Sequence, residues 1–188
     1  ELAEPYRTLL GHLRHETGHW YWEVLIDRVG RADEFRVLFG DERADYSDAL
    51  ARHYAEGPPA GWADRHVSAY AAAHPWEDWA ETFAHYLHIR DTSQTAAEFG
   101  IVVTGPTAQV RADLRAEPTA TPQMFTEIIG TWLPLTYALN AVNRSMGFTD
   151  LYPFVLAPAV LDKLRFVHDL VAEHPAYANA ATSRNGTR

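Results

Sequence analysis

Gly11-His12-Leu13-Arg14-His15-Glu16-Thr17-Gly18-His19-Trp20 is the stretch on which the reading of this chain turns. It contains His-Glu-x-x-His, and no other segment makes so specific a chemical demand. On a helix His15 and His19 are four residues apart, so both imidazoles leave one face, one turn from each other. Two neutral imidazoles at that spacing can bind one zinc ion, with nitrogens at about 2.0–2.1 Å. Glu16 lies one position round from His15, off that face, yet it can reach a water in the metal's open position, where a general base is needed. The flanking Leu9, Leu10, Leu13, Trp20, Val24 and Leu25 predict a helix that is mostly buried. Histidines and a glutamate in such a helix need partners, because unpaired buried polar groups cost free energy, and a metal supplies them.

Composition bounds what surrounds that motif. A chain of 188 residues fits one domain, long enough to bury roughly 70% of its unfolded surface without staples. The domain is expected over residues 1–177, with a small, polar tail at 178–188 expected to be disordered. Apolar content of 47% and six tryptophans mark a globular chain. No cysteine is present, which excludes disulfides and thiolate zinc sites, so any metal must use His and carboxylates. The same absence is compatible with a reducing compartment, and the cytoplasm is the expected location. A net charge of −9, from 16 basic and 25 acidic residues, disfavours nucleic acid as a partner. No run of some 18 apolar residues exists, so no membrane span is expected. The sequence opens at Glu1 rather than Met, and residues upstream of it are expected.

Along the chain, Pro5 in an acidic start predicts a helix from about Pro5 to Val29, stopped by Gly30. Residues 34–40 read as a short strand or a helical turn. Tyr46 to Tyr54 reads as a helix with Ser47 as its cap and Leu50 and Tyr54 on one face. Gly57-Pro58-Pro59-Ala60-Gly61 is a loop by composition. A long helix opens at His74-Pro75, with Glu77 and Asp78 in its first turn, where acids complement the helix dipole. A third is expected from Pro122 to Gly147, bent at Pro134, and a fourth from Pro158 to Glu173. The fold class is mainly α, with little β.

A catalytic zinc site wants three protein ligands and an open position. The metzincin pattern fails, because Trp22 and Leu25 stand where its Gly and third His belong. A close downstream Glu would fall near Leu38 or Phe39, and neither is acidic. Glu23 is one turn past His19, but three ligands on one straight helix surround a tetrahedral ion poorly. The best source is Glu77-Asp78-Trp79-Ala80-Glu81, where Glu77 and Glu81 share a helix face. One can bind the metal while the other accepts the free N–H of a ligand histidine. Spacing leaves either assignment open, and His85 is a spare candidate. His12 reads as a structural histidine. Asn140, Asn143 and Arg144 read equally as cleft residues or as caps of backbone groups.

Four segments carry a family resemblance: Arg7 to Trp22, Phe39 to Arg43, His74 to Thr82, and Trp132 to Thr136 running into Asn143 to Gly147. In them the chain resembles the putative zinc-binding metallopeptidases of bacteria, an uncharacterised family of the gluzincin clan, from near its start to about His168. Members usually begin with a cysteine-rich zinc ribbon, which is lacking here, so a fragment or a shortened member is expected. Tyr70 to Glu81 is also distantly similar to the metal-binding helix of the anthrax lethal factor protease. That resemblance implies Glu77 as zinc ligand, Glu81 behind it, and Tyr70 as a catalytic oxyanion or leaving-group partner. The implied protein is a zincin-like metallopeptidase with zinc held by His15, His19 and Glu77, and Glu16 as general base. Its substrate would be a peptide or protein. The alternatives are a catalytically silent zinc-dependent binding or regulatory module, and a helical domain whose motif is accidental.

Overall fold

Thr8 opens the first helix: its backbone is extended and its side-chain oxygen accepts from the Gly11 N–H at 3.0 Å, capping α1, Leu9–Trp22. The computed structural model of the chain describes residues 8–104 and 124–174. The expected helix starts at Pro5 and Pro122 and the tail 178–188 therefore lie outside the described residues. Beyond Trp22 the chain does not continue as α-helix to Val29. It widens into a π turn, Glu23–Asp27, in which the Arg28 N–H reaches back five residues to the Glu23 carbonyl at 3.0 Å. Successive residues are closer in rotation on the wider turn, and the adjacent Leu25 and Ile26 are both buried there. Gly30, at φ 72°, ends the segment.

Residues 34–39 belong to a helix, α2 (Ala32–Phe39), which buries Phe35 and Phe39 one turn apart and stops at Gly40. In α3 (Tyr46–Glu56) the cap is Asp45 and not Ser47, because the Asp45 carboxylate accepts the Asp48 N–H at 2.9 Å. The buried face of α3 holds Ala49 and His53, leaving Leu50 half-buried and Tyr54 exposed. Short 3₁₀ turns at Trp62–Asp64 and Tyr70–Ala73 lead into α4, Pro75–Glu98. Two further helices follow, α5 (Met124–Ser145) and α6 (Pro158–Glu173). The described residues contain no strand, so the fold is mainly α. No helix among them is long and apolar enough to cross a membrane.

The chain divides into two compact units. The second takes the rest of α4 beyond Leu87 together with α5. There Trp132 packs edge-on against Tyr152 at 4.9 Å, and Asn140 bonds both the N–H and the carbonyl of Tyr152. Asn143 bonds the Thr149 carbonyl and Arg144 pairs with Asp150, so these three polar residues tie down the chain that follows α5. Helix α5 runs through Pro134, with Thr136 bonded back to the Trp132 carbonyl.

The first unit gathers α1 to α3, α4 up to Leu87, and Phe154–Leu170 of the α6 region. Its core is Ile26, Phe35, Trp79, Val160, Leu164 and Val167, all at 0% exposure. Helices α1 and α4 approach at Gly18, where an added Cβ would stand 3.0 Å from the Ala80 Cα and 3.2 Å from its carbonyl oxygen. The Trp79 indole N–H donates to the Gly18 carbonyl at 2.8 Å, and Tyr21 stacks on Phe83 at 5.1 Å. The residues of α1 that this contact buries are Gly11, His15 and Gly18, not its leucines. Leu9, Leu10, Leu13 and Trp20 are exposed, which corrects the expectation of a mostly buried helix. At 100° per residue Leu9, Leu13 and Trp20 fall on the side opposite Gly11, and the small residues win the packed face because only they allow so close an approach.

One buried ion pair joins α4 to α6. Lys163 donates to the Asp78 carboxylate at 2.6 Å and to the Arg65 carbonyl at 2.7 Å. Burial pushes the Asp78 carboxyl up, to about 7, while Lys163 draws it back toward the charged form.

Two outcomes follow from this packing. Gly18→Ala gains about 1 kcal/mol of helix propensity but drives its methyl into backbone, which typically costs about 1–3 kcal/mol. A net loss is expected, read as a melting temperature lower by a few degrees, at about 2–4 °C per kcal/mol for a chain of this size. A raised melting temperature would contradict the close approach. For Lys163→Met the expected cost is about 3–5 kcal/mol, the usual penalty for stranding a buried charge, and it depends on pH. Asp78 holds its proton more tightly folded than unfolded, so its favourable contribution is present at low pH and lost as pH rises from about 4 toward 7. Without Lys163 that loss extends to higher pH. Denaturant melts should show a larger deficit at pH 8 than at pH 5, and a deficit equal at both would refute the account.

Candidate metal centre

His15 and His19 leave α1 toward the first turn of α4, and three donor atoms converge between the helices. His15 Nε2 lies 3.1 Å from His19 Nε2 and 3.0 Å from Glu77 Oε2, and His19 Nε2 is 3.7 Å from the same oxygen. A four-coordinate zinc at about 2.0–2.1 Å from each donor sets the donors about 3.3–3.4 Å apart. The three separations bracket that value. Among the described residues this is the His/His/Glu group that can hold a metal ion. Two nitrogens and one oxygen make the donor set of hydrolytic zinc sites, with a fourth position left open.

The partners behind the donors support the fit. His15 Nδ1 lies 2.7 Å from Glu81 Oε1, and the other Glu81 oxygen accepts the Ser68 hydroxyl at 2.7 Å. A proton held on Nδ1 by Glu81 leaves the lone pair of Nε2 facing the cluster, the tautomer a metal needs. Glu77 is 1% exposed, and its Oε2 is buried with no well-aligned hydrogen bond. A carboxylate oxygen orphaned beside two imidazole nitrogens marks a place where a cation belongs. His19 Nδ1 is also buried without a hydrogen-bond partner, and the ring meets the edge of Trp76 at 5.3 Å.

Electrostatics say the same. Burial lowers the His15 pKa, but its bonds to Glu77 and Glu81 outweigh that and raise it to about 9. Burial likewise pushes the Glu77 carboxyl up, and contacts from His15, His19 and Tyr46 outweigh it and hold it well below the usual carboxylate range. Glu81 is lowered as well, with His15, His85 and Ser68 overcoming its burial. Positive charge is therefore in demand between α1 and α4.

A cleft of about 360 Å³ opens onto the donors. Glu16 lines it and is exposed, its carboxylate 3.7 Å from His12 Nε2. Tyr70 lines it from the turn before α4, with its ring 6.0 Å from that of His15 and its hydroxyl interacting with those of Tyr46 and Tyr54. Burial raises the pKa of Tyr70, so it stays a neutral hydroxyl. The expected site residues thus meet around one cleft. His12 is exposed, its ring stacked 6.4 Å from that of His15, and His85 is buried against Phe154 at 4.4 Å; both lie outside the donor group. Burial lowers the His85 pKa to about 4, with Glu81 drawing it up.

Two contributors went unread in the sequence. Tyr46 donates its hydroxyl to Glu77 Oε1 at 2.6 Å, and Trp76 walls the cleft beside His19. Thirty-one residues separate Tyr46 from Glu77, and no local spacing signals the pair. Asp78, adjacent to Glu77, is committed to Lys163 and takes no part in the donor group.

Comparison with known proteins agrees with this geometry. Residues 1–170 match the family described as putative zinc-binding metallo-peptidase. Uncharacterized proteins of Mycobacterium bovis and of two Mycobacterium tuberculosis strains are each 55% identical over 177 residues. The alignments cover 92% of this chain and 49% of each relative, so the chain spans about half the length of the curated relatives it matches. No solved structure matches. A His/His/Glu cluster between two helices and a family match over nine-tenths of the chain lead to one conclusion: the chain belongs to the putative zinc-binding metallo-peptidase family.

Proposed function

We propose that this chain hydrolyses peptide bonds, with zinc held by His15, His19 and Glu77. The observation that carries the reading is the convergence of His15 Nε2, His19 Nε2 and the orphaned Glu77 Oε2 at the floor of an open cleft. Bound zinc supplies a Lewis acid and lowers the pKa of its water to about 7. Glu16, off the ligand face but in the same cleft, accepts the proton of the attacking water and hands it to the leaving amine. Tyr70, a neutral hydroxyl on the cleft wall, donates to the oxygen on which charge develops. Glu81 orients His15 and keeps its Nε2 available. The substrate is a peptide or protein, since the net charge of −9 repels nucleic acid. A cysteine-free chain suits a reducing compartment such as the cytoplasm.

Titration against a chelator separates the two carboxylates. Glu77→Gln should largely empty the site, whereas Glu81→Gln should weaken zinc by about 10–100-fold, the usual effect of losing a ligand's orienting partner. The reverse order would exchange their roles. Glu16→Gln should keep zinc and fold yet lose at least about 10²-fold in hydrolytic rate. Normal turnover by that variant would overturn the mechanism. Zinc-loaded wild-type protein that cleaves nothing in a broad peptide library would favour a zinc-dependent binding module.

A further inference from the structure

Glu77 sends one carboxylate oxygen into the donor cluster, and the other is held by Tyr46. The Tyr46 hydroxyl donates to Oε1 at 2.6 Å, while Oε2 carries no well-aligned hydrogen bond and lies 3.0 Å from His15 Nε2 and 3.7 Å from His19 Nε2. The two oxygens of one side chain therefore have different work. A carboxylate free to turn can offer a cation both oxygens, and a second oxygen would occupy the position that a hydrolytic site leaves for water.

Tyr46 is itself firmly placed. It is the first residue of α3, directly after the Asp45 cap. Its ring meets His74 edge-on at 5.2 Å and Trp76 at 6.2 Å. His74 in turn joins the two segments: its Nε2 donates to the Ala44 carbonyl at 3.1 Å, and its Nδ1 accepts the Trp76 N–H at 3.1 Å. The backbone before Tyr46 and the backbone before Glu77 are thus tied to one imidazole, which sets the tyrosine against the carboxylate. The single hydroxyl proton of Tyr46 is committed to Glu77, so this tyrosine is not the donor to a substrate oxygen.

We propose that Tyr46 is a positioning residue that confines Glu77 to ligation through Oε2 and so keeps the metal's fourth position open. The inference rests on the zinc site proposed above. Tyr46→Phe removes only the hydroxyl. Wild type, Tyr46→Phe and Glu77→Gln are to be titrated with zinc against a chelator and, separately, loaded with cobalt for visible absorption. Wild type should bind one equivalent of zinc. Tyr46→Phe should bind zinc about 10–100-fold more weakly, and its cobalt bands should weaken as coordination rises above four. An affinity and a cobalt spectrum both equal to wild type would overturn the inference. Should Tyr46→Phe not melt cooperatively, X-ray absorption of zinc-loaded wild-type protein decides without a variant. Four ligands with one short carboxylate oxygen support the inference, and a carboxylate bound through both oxygens overturns it. The parent reading fails differently: wild type then takes up no zinc, or Glu77→Gln retains it fully, and the inference falls with it. A Glu77→Gln variant that empties while Tyr46→Phe matches wild type defeats the inference alone.

Discussion

The backbone contact between Gly18 and Ala80 is the constraint on which the first unit depends. Without a Cβ on Gly18, α1 lies close enough to α4 for Trp79 to bond the Gly18 carbonyl and for His15 to reach both Glu77 and Glu81. Any larger residue would act on backbone atoms rather than on a yielding side chain, and close-packed interiors transmit such displacements instead of absorbing them. Donor separations of 3.0–3.7 Å leave little room for that. The glycine inside His-Glu-x-x-His is therefore as structural as the histidines are chemical.

Around this contact the polar groups are arranged by depth. Glu77 and Asp78 are adjacent and each 1% exposed, yet their fates diverge with the direction of the helix. Asp78 turns toward α6 and meets Lys163, which balances its charge inside the core. Glu77 turns toward α1, where the imidazoles of His15 and His19 meet it, while Tyr46 of α3 donates to its other oxygen. Glu81, one turn on, is satisfied by His15 and Ser68 and serves the site from behind. Three carboxylates within five residues thus hold three different environments on one helix.

The exposed apolar side of α1 is the other consequence. Because Gly11, His15 and Gly18 occupy the packed face, Leu9, Leu13 and Trp20 are turned outward. A helix read by composition as buried is buried only along a narrow stripe of small and polar residues. Glu16, off the packed stripe, is exposed and lines the cleft.

The sequence by itself determined the elements whose signals are local. The spacing of His15 and His19 put both imidazoles on one face, Pro75 and Pro158 marked the starts of α4 and α6, and the absence of cysteine confined any metal to His and carboxylate donors. The shared face of Glu77 and Glu81 was also legible, because a helix repeats every 3.6 residues wherever it lies. Tertiary structure alone decided the rest. Residues 34–39 are helical because Phe35 and Phe39 have a core to enter, and the helix expected to reach Val29 gives way to a π turn that buries Leu25 and Ile26 together. Asp45 rather than Ser47 caps α3, a choice between two good cappers that sequence preference does not make. Which face of α1 is packed, which carboxylate meets Lys163, and that Tyr46 reaches Glu77 across 31 residues all depend on which helices lie side by side. Periodicity fixes directions within one helix and carries no information about its neighbour.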